Sequence, residues 1–337
     1  MENQSGSGTL LTSMTRTLSL DIARVTEGAA VAAARLRGRG DERASDTAAV
    51  QAMHREIADL PISGLVVIGE GERDDTDRLY IGEEIGRGGS RVDIAVDPLE
   101  GTTLCAKSLP GALTVIAVAE QGGLLNAPDI YMEKIAIGPG YEEGLVSLDL
   151  SIAENLTRLA GAKGASVRDI TACVLDRPRH ARLIEEIRTA GAAVCLIGDG
   201  DIAGVIQTCE PEETGIDIYL GVGGAPEGVL AAAALRCIGG QIQGRLVALN
   251  DQHLRRADHF GIKDLKRKYS TADMASGDII FAATGVTDGS LLSGVKFYDG
   301  QIETHTVIMR SATRTVRWIY AEHMDLSKFE RGDAEKA

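Results

Sequence analysis

No apolar run in this 337-residue chain is long enough to cross a bilayer. The longest, AAVAAA and VLAAAAL, fall far short of the roughly 20 residues that a spanning helix needs. Basic charge is scarce too. Against 49 Asp and Glu stand 35 Lys and Arg, a formal net charge of −14. That argues against nucleic acid or an anionic membrane as partner, because both need basic surfaces. A small anionic ligand stays open, provided bound cations reverse the local sign. The five cysteines, Cys105, Cys173, Cys195, Cys209 and Cys237, show no Cys-x-x-Cys spacing. This speaks against a disulfide framework or a zinc site and fits reduced thiols in a cytoplasm. The N-terminal MENQSGSGTLLTSMTRT lacks the apolar core of a signal peptide. Residues 1–16 are expected to form a disordered tail and 326–337 a polar one. No internal repeat, low-complexity tract or linker stands out.

What is present alternates between helix and strand patterns. The Ala-rich stretch from Leu20 to Arg37 predicts a helix ended by GRG. Ser45 is a good N-cap for DTAAVQAMHREIADL, which places Asp46 in that helix's first turn, and Pro61 closes it. GLVVIGEGE, VDIAVD, ALTVIAVAE and DIYMEKIAIG read as strands. From TACVLD onward the pattern becomes a regular strand–helix alternation, through PRHARLIEEIRTAG, AVCLIGD, IAGVIQT and IDIYLGV to APEGVLAAAALRCIG. DIIFAATG, ETHTVIMR and TRTVRWIYAEH are late strands. Such alternation favours layered α/β architecture with ligands at strand ends.

Three segments end apolar elements on acids: Asp46 at a helix start, Glu70 and Glu72 after LVVIG, and Asp97 and Glu100 in VDIAVDPLEGTTL. A single acid at a strand end is ordinarily a solvated cap or turn residue. Three such segments point instead to a site for Mg²⁺ or Mn²⁺, hard cations that take oxygen ligands and keep positions open for water and phosphate. Gly101 permits close backbone approach, and a helix starting there aims N–H groups at an anion. Thr102 can hold an attacking water, or serve as the cap of that helix. GVGGAPEG has the look of a glycine-rich nucleotide loop but lacks the Gly-x-Gly-x-x-Gly spacing.

Taken in order, GRGD…DTAAVQAM, VVIGEGERDD, LYIGEE, VDIAVDPLEGTTL, NAPDIYMEKIAIGPG, RPRH, GDGD and GVGGAPEGV resemble the class II (bacterial-type) fructose-1,6-bisphosphatases. These belong to the metal-dependent, lithium-sensitive sugar and inositol phosphatase superfamily. DPLEGTT alone resembles only the superfamily. The whole set, from about Leu20 to about Arg317, is specific to the class.

The resemblance implies a layered α-β-α-β-α fold of two α/β lobes with mixed sheets. Residues 17–160 would form a metal-binding catalytic lobe, and 161–325 a sugar-phosphate-binding lobe that lends Glu227 to the metals. It places the ligands of two or more Mg²⁺ or Mn²⁺ ions on Asp46, Glu70, Asp97, Glu100 and Glu227, with Glu72 close enough to share one. Asp74 and Thr102 would activate and hold the water. Substrate contacts fall on Glu100, Gly101, Thr102, Tyr131, Arg177, Arg179, Asp199, Asp201 and Gly224. Arg177 and Arg179 suit the phosphate that is not cleaved, and Asp199 and Asp201 suit sugar hydroxyls. Without the resemblance, Arg177, Arg179 and His180 read as a solvated helix start and GDGD as a turn. One departure is Glu42, where relatives commonly carry Lys after GRGD, with Arg43 next to it as the substitute.

The expected reaction is metal-dependent hydrolysis of the 1-phosphate of fructose 1,6-bisphosphate, in gluconeogenesis or the Calvin cycle, with sedoheptulose 1,7-bisphosphate as a second candidate substrate. A cytoplasmic homo-oligomer, dimer or tetramer, is expected by analogy. An inositol-monophosphatase-like enzyme would not need a second basic cluster. A non-catalytic sugar-phosphate sensor would have lost its carboxylates. A nicotinamide oxidoreductase lacks its glycine fingerprint.

Overall fold

The computed structural model describes residue 14 and residues 17–71 and 76–330. Glu72 and Asp74, and most of the 1–16 and 326–337 tails' outer residues, lie outside the described residues.

In chain order the helices are α1 (Leu18–Ala34), α2 (Glu42–Ala58), α3 (Thr102–Ala106), α4 (Ile152–Lys163), α5 (Ala181–Ala190), α6 (Asp201–Ile206), α7 (Pro211–Thr214), α8 (Ala225–Ile238), α9 (Asp251–His259) and α10 (Thr271–Met274). The strands are β1 (Ile62–Ile68), β2 (Glu84–Ile85), β3 (Ser90–Glu100), β4 (Leu113–Glu120), β5 (Tyr131–Ile137), β6 (Thr171–Leu175), β7 (Ala193–Ile197), β8 (Ile218–Gly224), β9 (Gln241–Val247), β10 (Lys268–Ser270), β11 (Ile279–Gly285), β12 (Lys296–Tyr298), β13 (Gln301–Arg310) and β14 (Thr315–His323).

They form two mixed sheets. The first runs β12-β13-β11-β4-β3-β1-β2 with β14 on β13, and the second β10-β9-β5-β8-β6-β7. The last four strands return to the first sheet, so sheet membership does not follow a single cut in the chain.

Each sheet has a parallel set. β1 pairs parallel with β3, and β6 pairs parallel with both β7 and β8. Three cores stack around the sheets. Ile22, Val25 and Ala29 of α1 and Met53 of α2 cover one face of the first sheet, through Val92, Ile94 and Val96. α8 fills the layer between the sheets, packing on Ala95, Val115, Met132 and Phe281. α4 and α5 cover the outer face of the second sheet through Leu156, Leu159 and Ile187. The order is α-β-α-β-α, as the resemblance implied. The middle helix is apolar nearly all round, with Val229 to Leu235 buried without a break. That is the composition of a helix with no solvent face, and its small Ala side chains allow a sheet on either side.

Two local expectations need correction. α2 begins at Glu42, not after Ser45, because Asp41 outcompetes Ser45 as the cap and its side chain accepts from the Ala44 N–H at 2.9 Å. Ser45 instead lies inside the helix and donates to the Glu42 carbonyl at 2.9 Å. Asp46 therefore sits in the second turn rather than the first. Likewise Gly101, not Thr102, is the N-cap of α3, with φ 81°, a left-handed backbone that favours glycine.

Candidate active site

Strand alternation decides where the first acid points. Val92, Ile94 and Val96 face α1 and α2, so Asp93, Ala95 and Asp97 face the middle layer. The strand does not stop at Asp97 but continues to Glu100 through a register shift against β4. Pro98 sits in that shift, where it has no N–H to leave unpaired. Glu70 follows the end of β1, the parallel neighbour of β3. Both acids thus leave the carboxyl ends of parallel strands, where α/β sheets place ligands. Glu227 lies in the first turn of α8, and Asp46 lies on α2, which packs against β3.

A cavity of about 270 Å³ is lined by Glu70, Asp97, Asp129 and Glu227. Burial pushes the Glu70 carboxyl up to about 7, with Asp46 adding to the shift. Asp97 is raised well above its ordinary range, by burial first and then by Glu227, Glu70 and Asp46. Glu100 is raised well above the ordinary range by burial and by Asp97 and Asp201. Glu227 reaches about 7 through burial and Asp201, eased by Lys134. Burial raises Asp46 as well. The sequence-predicted acids Asp46, Glu70, Asp97, Glu100 and Glu227 therefore share one electrostatic neighbourhood.

Among the described residues, no three His, Cys, Asp or Glu side chains close on a ready-made coordination group. The donor set nevertheless fits a hard divalent cation. Glu100 Oε1 accepts from the Ile202 N–H at 2.9 Å, whereas its buried Oε2 has no hydrogen-bond partner. Mg²⁺ binds through only one or two carboxylates, with waters and substrate phosphate filling the rest of its shell. These carboxyls are raised by burial first and by one another second, and a cation among them would offset both costs.

The basic residues meet at the carboxyl ends of β6, β7 and β8. Arg177 follows β6, and its guanidinium donates to Gly198 O at 2.5 Å and lies 3.4 Å from Asp199 Oδ1. Arg179 donates twice to Val222 O, at 2.9 and 2.7 Å. Its guanidinium lies 5.1 Å from the centre of the Tyr131 ring, and Tyr131 stands opposite Gly224 in the β5–β8 register. Tyr131, Arg177, Arg179, Asp199 and Gly224 thus form one rim at the end of the second sheet. His180, in contrast, is buried. Its Nδ1 donates to Leu175 O at 2.7 Å, and its Nε2 accepts from the Val222 N–H at 2.8 Å. It is a neutral tie between β6 and β8, not a solvated helix start, and its pKa is lowered by burial.

Asp201 is 6% exposed and pairs with Lys134, itself 1% exposed. The glycines of GVGG are explained by this crowding. A Cβ on Gly223 would lie 2.0 Å from Asp201 Oδ2, and one on Gly224 would lie 1.8 Å from Glu227 Oε2. No nucleotide is needed to account for them. Glu42, which follows GRGD, accepts from Thr103 Oγ1 at 2.8 Å at the start of α3.

Sequence patterns missed Lys134 and Asp129. Both lie in NAPDIYMEKIAIGPG. The available signal was a lysine at a core-facing position of β5, between Met132 and Ala136.

Buried carboxylates beside a rim of arginines, on a fold of two mixed sheets with helices between and outside them, fit the class of the α/β phosphatases. The family described as bacterial fructose-1,6-bisphosphatase, glpX-encoded, matches residues 16–323, and the chain belongs to that family. It is 41% identical to a D-fructose 1,6-bisphosphatase class 2/sedoheptulose 1,7-bisphosphatase of Synechococcus elongatus, over 92% of this chain and 97% of that protein. It is 43% identical to a protein of the same description from Synechococcus sp. (strain JA-3-3Ab), over 92% of this chain and 96% of that one. The chain is a fructose-1,6-bisphosphatase, a metal-dependent phosphoric monoester hydrolase. Among the described residues no helix is long and apolar enough to cross a membrane.

Proposed function

We propose that the enzyme removes the 1-phosphate of D-fructose 1,6-bisphosphate at the cavity of Glu70, Asp97 and Glu227, with the 6-phosphate at Arg177 and Arg179. The observation that carries this reading is one cavity lined by carboxylates from three separate elements, Glu70, Asp97 and Glu227, with the buried Oε2 of Glu100 left unpartnered. Asp46, Glu70, Asp97, Glu100 and Glu227, with Glu72 in support, would hold two or more Mg²⁺ or Mn²⁺ ions. When bound, such ions lower the pKa of water and neutralise charge on phosphoryl and leaving oxygens.

The chain's own residues then orient the substrate. Arg177 and Arg179 offer charge-assisted donors to the remote phosphate. Tyr131 sets one wall of its pocket and stacks under Arg179. Asp199 and the free oxygen of Asp201 accept from sugar hydroxyls. The backbone at Gly101 and Gly224 approaches the substrate closely, because neither residue carries a side chain. Thr102, with Asp74, directs the attacking water. The reading extends to a cytoplasmic homo-oligomer, dimer or tetramer, and to sedoheptulose 1,7-bisphosphate as second substrate, which the names of the Synechococcus relatives support.

A substrate panel tests it. Phosphate release is expected from fructose 1,6-bisphosphate and sedoheptulose 1,7-bisphosphate with Mn²⁺, with inositol 1-phosphate turned over at least about tenfold more slowly, since loss of one charged pairing is worth 1.4 kcal/mol or more. Equal rates on inositol 1-phosphate would contradict the role of Arg177 and Arg179.

A further inference from the structure

Lys134 is a buried lysine on the core-facing side of the second sheet, lining the same pocket as Arg179 and His180. It projects into the middle layer from β5, between Met132 and Ala136. Its ammonium is bonded to Asp201 Oδ2 and donates to the Gly224 carbonyl at 2.9 Å. Tyr219 OH lies 3.5 Å from the same Asp201 oxygen. The surrounding backbone is cut away to admit it. A Cβ on Gly223 would lie 3.0 Å from Lys134 Nζ, and one on Gly228 would lie 3.3 Å from Lys134 Cδ. A buried lysine is expensive unless its donors are matched, and two of the three are matched here, by Asp201 Oδ2 and the Gly224 carbonyl.

Its two partners open two different helices. Asp201 is the first residue of α6, and the 198–200 turn before it carries Asp199. Gly224 is the N-cap of α8, three residues before Glu227. We infer that Lys134 is a positioning residue that locks the start of α6 to the start of α8, and so sets Asp199 and Asp201 on the sugar side in register with Glu227 on the metal side. With Oδ2 held by Lys134, Asp201 keeps its other oxygen for a hydroxyl. With its carbonyl held, Gly224 fixes the backbone from which Glu227 reaches the cavity. The inference rests on the cavity being the metal and phosphate site.

Lys134→Met tests it by two readouts. Metal-free protein titrated with Mn²⁺ alone in a calorimeter is expected to bind roughly tenfold or more weakly, the range for lost outer contacts of a metal site, and KM for fructose 1,6-bisphosphate is expected to rise. Electrostatics alone predicts the opposite for Mn²⁺, since removing a cation beside Glu227 favours a divalent ion. Weaker binding therefore reports lost geometry. Unchanged or tighter Mn²⁺ binding with unchanged KM, in a folded variant, overturns the inference, even if the melting temperature drops. Should Lys134→Met fail to fold because Asp201 is left unpaired, the charge-balanced Lys134→Met/Asp201→Asn variant carries the test. It is expected to fold and to show the same loss of Mn²⁺ affinity, and wild-type affinity overturns the inference. Glu227→Gln separates the two levels. If it too binds Mn²⁺ normally, the cavity is not the metal site. If it loses Mn²⁺ while Lys134→Met does not, only the role of Lys134 falls.

Discussion

Asp97→Asn and Glu227→Gln are each expected to slow phosphate release from fructose 1,6-bisphosphate by more than about 100-fold. Replacing residues that only support metal ligands costs ~10–100-fold, and the proposed site makes these two ligands themselves. A factor of 100 is about 2.7 kcal/mol of transition-state stabilisation. Neither change should disturb the fold, because the amides keep the shape of the carboxylates and remove charge from a crowded acidic site. Asp97 is raised by burial and then by Glu227, Glu70 and Asp46, so Asp97→Asn is expected to raise the melting temperature of the metal-free protein, while the metal-loaded variant shows the loss of turnover. That pairing of lost activity with gained stability is the signature of a residue kept for function. Circular dichroism and a phosphate-release assay read both. A variant with near-normal turnover would remove its residue from the site.

The second large effect is on stability against pH. Glu70 and Glu227 rise from 4.5 to about 7 in the folded protein. A folded state that holds protons more tightly than the unfolded chain is favoured at low pH. Its advantage is complete below the unfolded value near 4.5 and is lost as pH climbs through about 7. Metal-free protein is therefore expected to unfold at lower urea concentration at pH 8 than at pH 5, by on the order of 3 kcal/mol for Glu70 at 1.36 kcal/mol per unit, with Glu227 acting in the same direction.

Glu27 of α1 also rises to about 7, through burial eased by Lys328 and Arg24. Mn²⁺ distinguishes the contributions. Saturating Mn²⁺ should restore the part of the stability lost at pH 8 that belongs to Glu70 and Glu227, and leave the part that belongs to Glu27. No recovery with Mn²⁺ would mean that the shifted acids are not ligands.

The order of layers could be read from the chain because it follows local periodicity. The Ala-rich APEGVLAAAALRCIG, apolar on every side, has no stable place except between two sheets. The return of β11 to β14 to the first sheet could not, because the partners Ile280 and Arg310, or Phe281 and Ala117, are distant in sequence or set by tertiary pairing. Helix starts failed where two capping residues competed, as Asp41 and Ser45 do.

Asp46, Glu70, Asp97 and Glu100 were visible because several apolar segments end in carboxylates, a pattern that local solvation does not require three times over, whereas Glu227 was reached only through the resemblance to the family. Asp129 was not, since a lone acid before a strand has an ordinary role, and it also meets Arg256 at 2.9 Å. Lys134 was hidden by its neighbours. In YMEKIAI a single lysine beside glutamate reads as surface, and only the register of β5 turns it inward.

On the proposed reading, acids from separate elements assemble one cavity where divalent ions receive phosphate. Anomalous diffraction from crystals grown with Mn²⁺ and inorganic phosphate would locate those ions. Mn²⁺ peaks among Glu70, Asp97 and Glu227, at the roughly 2.0–2.2 Å typical of small divalent ions on oxygen and with phosphate bridging them, are the expected result. Mn²⁺ bound elsewhere, with the cavity holding only water, would contradict it.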